Sequence, residues 1–99
     1  MAPGGLKDIK EELCKRREEL LRDYGVKEIG IFGSWVRGDA NLESDVDILV
    51  EFNRSIGFFK FLELEEKIVD WIGAKVDLVT RGVIKPRIGR RILNEVDML

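Results

Sequence analysis

The sequence has no histidine, no glutamine, one cysteine and no long apolar run. Each absence closes off a class of function. Without histidine there is no Ser-His-Asp triad, no imidazole general base and no His-ligated zinc. Cys14 alone can form neither a thiolate metal site nor an internal disulfide, which fits a reducing cytoplasm. No stretch approaches the roughly 20 apolar residues of a membrane span, and no leader pattern opens the chain, so no membrane association is expected. Net charge is only −2, so direct nucleic-acid binding is not expected. Missing glutamine, beside plentiful Lys, Arg and Glu, hints at a thermophilic source.

What is present suits one small domain. The 99 residues are 44% apolar and 36% charged, enough for a single core and not a disordered composition. One domain over 1–99 is expected, with the Gly/Pro-rich residues 1–5 frayed. Leu6, Ile9, Leu13, Leu20 and Tyr24 recur at helical spacing, predicting a helix over 6–24 that Gly25 stops. Lys15-Arg16-Arg17 is flanked by acids at helical spacing and reads as an ion-paired face. Residues 26–32 predict a strand, Trp35–Gly38 one helical turn, and 45–52 a second strand. Residues 58–72 predict an amphipathic helix stopped by Gly73, with the aromatics Phe58, Phe59 and Phe61 mostly in the core and Phe59 partner-facing. Residues 75–80 predict a third strand, and Pro86 is placed to begin a last helix.

The centre of the chain is the stretch from Gly33-Ser34 to Asp45-Val46-Asp47. A strand has period two, so Asp45 and Asp47 share one face while Val46, Ile48 and Val50 take the other as core. Two carboxylates on one face repel, and a hard divalent cation between them relieves the repulsion. A Gly-Ser turn opening a helix can present N–H groups to a phosphate, although Ser34 alone would equally well be a helix N-cap. Asp77 is a third carboxylate within an apolar run, costly there unless paired or metal-bound.

Gly33, Ser34, Arg37, Gly38, Ser44, Asp45, Asp47, Ile48 and Val50 together resemble the signature of the polymerase-β-like nucleotidyltransferases, in the form of the minimal nucleotidyltransferases of bacteria and archaea. Val36 and Asn41-Leu42 depart from that pattern, where a small residue and Thr-Pro are common. The resemblance implies an α+β fold, a small mixed sheet backed by helices on one face. It implies Asp45, Asp47 and Asp77 as catalytic metal ligands for two Mg²⁺ ions. Gly33, Ser34, Arg37 and Ser44 would lie at the nucleotide, with Arg37 open to a phosphate or a scaffolding role. It further implies transfer of AMP from ATP onto a hydroxyl, with release of pyrophosphate.

A chain this short shows no acceptor-binding domain, so a partner is expected. In the family that partner is typically an α-helical HEPN toxin, adenylylated on tyrosine by its antitoxin in type VII-like systems. Two alternatives stay open: an antitoxin acting by contact alone, and a transferase subunit for a small hydroxylated molecule. Homo- and hetero-oligomers are both compatible. Residues 1–80 carry 12 basic and 17 acidic side chains, whereas 81–99 carry 5 and 2. The basic run Arg81, Lys85, Arg87, Arg90 and Arg91 reads as a solvated face or as a surface for triphosphate or an acidic partner.

Overall fold

The structure is a computed structural model that describes residues 5–38, 40, 44–80 and 96–99. The expectations for residues 1–4, for most of the loop at 39–43 and for the basic segment 81–95 lie outside the described residues. The elements are α1 (Leu6–Lys15), α2 (Arg17–Tyr24), β1 (Val26–Phe32), α3 (Ser34–Arg37), β2 (Val46–Phe52), α4 (Phe58–Ile72), β3 (Val76–Thr80) and β4 (Asp97–Met98).

The strands form one mixed sheet in the order β3-β2-β1-β4. β1 runs antiparallel to β2 and to β4, and β2 runs parallel to β3. The parallel pair follows from the helix between them: α4 carries the chain back so that β3 starts at the same end as β2. Alternation decides the faces. Ile29 and Ile31 of β1 stand opposite Val50 and Ile48 of β2, and all are buried. Ile9 and Leu13 of α1, Leu20 and Tyr24 of α2, and Leu64, Ile68 and Ile72 of α4 close over them in one core. The result is a helical layer on one face of a small mixed sheet, as expected.

Two expectations are corrected, and one strand is added. The helix over 6–24 is two helices. Arg16, at φ −97° and ψ 4°, tightens one turn, its N–H donating to Leu13 O at 3.1 Å. Its guanidinium lies over Trp71 of α4, 4.9 Å from the ring centroid, and pairs with Glu12. The ion-paired reading of this face stands, since Lys15 also reaches Glu12, at 3.7 Å. Beyond residues 81–95, a short strand that the sequence did not suggest joins the sheet: Asp97 and Met98 pair with Ile31 and Gly30, and Leu99 N–H donates to Ile29 O at 3.0 Å. Lys10 of α1 fastens this strand through Asp97 at 2.7 Å. The second correction is that, of the aromatic cluster, only Phe61 packs inward, edge-on to Phe52 at 6.4 Å between centroids. Phe58 and Phe59 are 70% and 84% exposed, the latter as the partner-facing reading of Phe59 expects.

Among the described residues, no helix is long and apolar enough to cross a membrane.

Candidate active site

β1 delivers the chain to Gly33, which caps α3 at φ 80° and ψ −153°, a conformation that side chains strongly disfavour. A Cβ here would also overlap the Asp47 carboxylate, Oδ2 above all. Gly33 is therefore glycine twice over, for its backbone and for the space that Asp47 fills. The N-cap position belongs to Gly33, so Ser34 is the first helical residue rather than the cap. Val36 and Arg37 both donate their N–H groups to Gly33 O at 3.1 Å, closing the single turn of α3. Arg37 ends that turn and is exposed.

Asp47 is the second residue of β2, half-buried, beside Phe32 of β1. On the other side it is the register partner of Asp77 in β3. Partners in a parallel pair present their side chains to the same face, on strands roughly 4.8 Å apart. That face is the one opposite the helices, since Val46 and Ile48 point into the core at 0% exposure. Asp45 lies one residue before β2 and is exposed. The backbone around it is tied down: Val46 N–H donates to Lys75 O at 2.8 Å, and Ser44 O accepts from Trp35 Nε1–H at 3.4 Å.

Gly33, Asp47 and Asp77 thus meet across three strands at one end of the sheet. Ser34 adjoins through α3, Ser44 and Asp45 through the start of β2. Arg37 is one helical turn removed. The desolvation argument for Asp77 does not hold: β3 is the edge strand next to β2, and Asp77 is exposed. Its register, not its burial, associates it with Asp47. Sequence reasoning passed over Trp35, whose only signal was an indole N–H in a polar turn.

The donor chemistry of Asp45, Asp47 and Asp77 fits a hard divalent cation, being oxygen throughout. Among the described residues no three carboxylates already converge into a closed metal cluster. Asp45 and Asp77 are the exposed members, with room to turn toward Asp47. A separate groove of about 840 Å³ lies toward the other end of β2 and β3, lined by residues including Phe52, Ile56, Phe58, Phe61 and Leu78.

Residues 7–97 match the family described as the nucleotidyltransferase domain. This chain is also 45% identical over 96 residues to the protein adenylyltransferase MntA of Thermococcus cleftensis, covering 97% of both chains. The chain belongs to the nucleotidyltransferase-domain family, within it to the minimal nucleotidyltransferases, and is an enzyme of nucleotidyl transfer. In fold it is similar to a solved structure assigned as a minimal nucleotidyltransferase, with a TM-score of 0.75 and 27% identity over 92% of this chain and 95% of that one. A complex of tri-AMPylated HEPN toxin with MNT antitoxin from Shewanella oneidensis contains the same fold, with a TM-score of 0.64 at 22% identity over 91% of this chain and 70% of that one.

Proposed function

We propose that this protein transfers AMP from ATP onto a hydroxyl of a partner protein, a tyrosine of a cognate HEPN toxin, and acts in the cytoplasm as the antitoxin of a type VII-like pair. The observation that carries the reading is Gly33 packed against Asp47 with Asp77 in register beside it. Near-full-length similarity to a protein adenylyltransferase supports AMP as the transferred group and a protein as the acceptor. The HEPN partner is drawn from the Shewanella complex, which shares only the fold with this chain.

Charge dictates the division of labour. A nucleoside triphosphate brings about four negative charges to a face lined by carboxylates, and the repulsion forbids close approach by itself. Two Mg²⁺ ions, when bound, would supply that neutralisation. In this reading Asp45 and Asp47 would hold both ions, and Asp77 would complete the site of one of them, orient the acceptor hydroxyl and take its proton. The Gly33-Ser34 turn receives the β- and γ-phosphates, as its missing side chain lets the backbone come close. Ser44 and Arg37 flank the nucleotide. Catalysis is then positioning and electrostatics rather than covalent chemistry by the protein.

The test is intact-mass spectrometry of the genomically adjacent HEPN-like protein after incubation with this chain, Mg²⁺ and ATP. Mass gains in AMP steps on a tyrosine, lost with Asp47→Asn, are expected. A stable complex with no gain in mass would replace the catalytic reading with neutralisation by contact.

A further inference from the structure

Asp45 is the carboxylate least supported by regular structure, since it precedes β2 and is exposed. Its neighbours on both sides are nevertheless anchored. Downstream, the bond from Val46 N–H to Lys75 O is backbone to backbone, at 2.8 Å, and independent of side-chain identity. Upstream, the Ser44 carbonyl accepts from the indole of Trp35, nine positions earlier in the chain. Trp combines a ring N–H donor with a broad rigid apolar body. Trp35 uses both: its ring packs against the core cluster while Nε1–H is aimed at Ser44 O. It also sits on α3, directly after Ser34. One side chain therefore couples the Gly33-Ser34 turn to the residue beside Asp45.

We propose that Trp35 is a positioning residue that holds the Ser44 carbonyl and so sets the aim of the Asp45 carboxylate at a divalent cation. The inference rests on the reading of Asp45 as a cation ligand. In this reading Trp35 acts through Ser44 and not directly on ion or nucleotide. An exposed carboxylate ahead of a strand samples many directions, and each must be given up when an ion binds. Fixing the preceding carbonyl removes part of that cost before the ion arrives, which is pre-organisation of a ligand by the shell around it.

The experiment measures Mn²⁺ binding to the full chain by electron paramagnetic resonance, without nucleotide and without turnover. Mn²⁺ shares the oxygen preference of Mg²⁺. Trp35→Phe keeps a ring and removes the donor. At 3.4 Å this is a long hydrogen bond, and its loss corresponds to a rise in Kd of about 2–3-fold, the low end for a neutral bond. Asp45→Asn is expected to weaken binding further, and Trp35→Phe to add nothing in the Asp45→Asn background. Unchanged binding in Trp35→Phe, with Asp45→Asn weakened, overturns the role of Trp35 and leaves the site standing. A Trp35→Phe effect that persists at full size in Asp45→Asn also overturns it, because the effect then comes from packing. Unchanged binding in Asp45→Asn removes the cation-ligand reading itself. Should Trp35→Phe not fold, Trp35→Leu carries the same cycle with the same deciding outcomes.

Discussion

Asp47 and Asp77 stand level with each other in the parallel pairing of β2 and β3, although thirty positions separate them in the chain. On the other side of β2, β1 places Phe32 beside Asp47. The two aspartates thus lie side by side on the face away from the helices, next to the Gly33 turn.

Asp47→Asn keeps the shape of the side chain and removes its charge. Nucleotidyl transfer is expected to fall by about 10²–10³-fold or more, the scale on which removed transition-state electrostatics register. Partner binding by co-elution is expected to persist. A variant that still adenylylates at near the parent rate would remove Asp47 from the chemistry.

Gly33→Ala and Gly38→Ala make an informative pair. Both glycines have positive φ, 80° and 86°. An added Cβ at Gly33 overlaps Asp47, whereas at Gly38 it meets none of the described residues within 4 Å. Each is expected to lose about 1–3 kcal/mol from backbone strain, read as a lower Tm. Only Gly33→Ala is expected to lose activity beyond what its Tm explains. Equal activity loss in the two would show that the turn matters and the Asp47 contact does not.

Tyr24 gives a prediction about pH. Its hydroxyl donates to Glu63 Oε2 at 2.9 Å, and the residue is 1% exposed. Burial first, and then the bond to Glu63, push its pKa from 10.0 up to about 12. The folded state therefore holds this proton more tightly than the unfolded chain. The resulting stability is complete below about pH 10 and is lost as pH rises toward 12. Tyr24→Phe is expected to be less stable at neutral pH and to show a shallower fall in Tm across that alkaline range. Parallel Tm curves for the two proteins would contradict the assignment.

Gly30 holds β4 in place by having no side chain. A Cβ there would come within 2.5 Å of Met98 Sδ and 2.8 Å of Val96 Cγ2. Gly30→Val is expected to displace β4 and loosen the Lys10–Asp97 ion pair. Hydrogen exchange at the Leu99 amide, which bonds Ile29 O, is expected to accelerate by at least about tenfold. The Ile48 amide, within the central strand, is expected to change far less.

Some of this was legible in the sequence. β1 and α4 were found with their observed bounds, because long periodic runs ended by glycine leave little choice of boundary. Period two put Asp45 and Asp47 on one face, but Asp45 falls one residue short of β2, where strand alternation no longer fixes it. The break at Arg16 was invisible: the seven-residue step from Leu13 to Leu20 nearly completes two turns whether or not one peptide tightens. β4 was missed because two residues cannot display a period, and its pairing with Gly30 is a tertiary fact. Phe58 was misjudged because helical spacing gives an angular position but not how far the sheet extends beneath it. For Asp77, apolar neighbours suggested burial, yet an edge strand leaves such a carboxylate in water. Trp35 escaped because a bond to a backbone carbonyl nine residues away leaves no mark on composition.

The parallel β2–β3 pair has a consequence for how the protein forms. Gly33 and Asp47 are joined by neighbouring strands through a short connection, so their loop closes early and at low entropic cost. Asp77 joins only after α4 has crossed over the sheet and β3 has docked on β2. Pairings at such sequence separation are the slower kind. A chain emerging from synthesis therefore completes the Gly33–Asp47 half before the Asp77 half, and for that interval it holds a fold nucleus without a finished site.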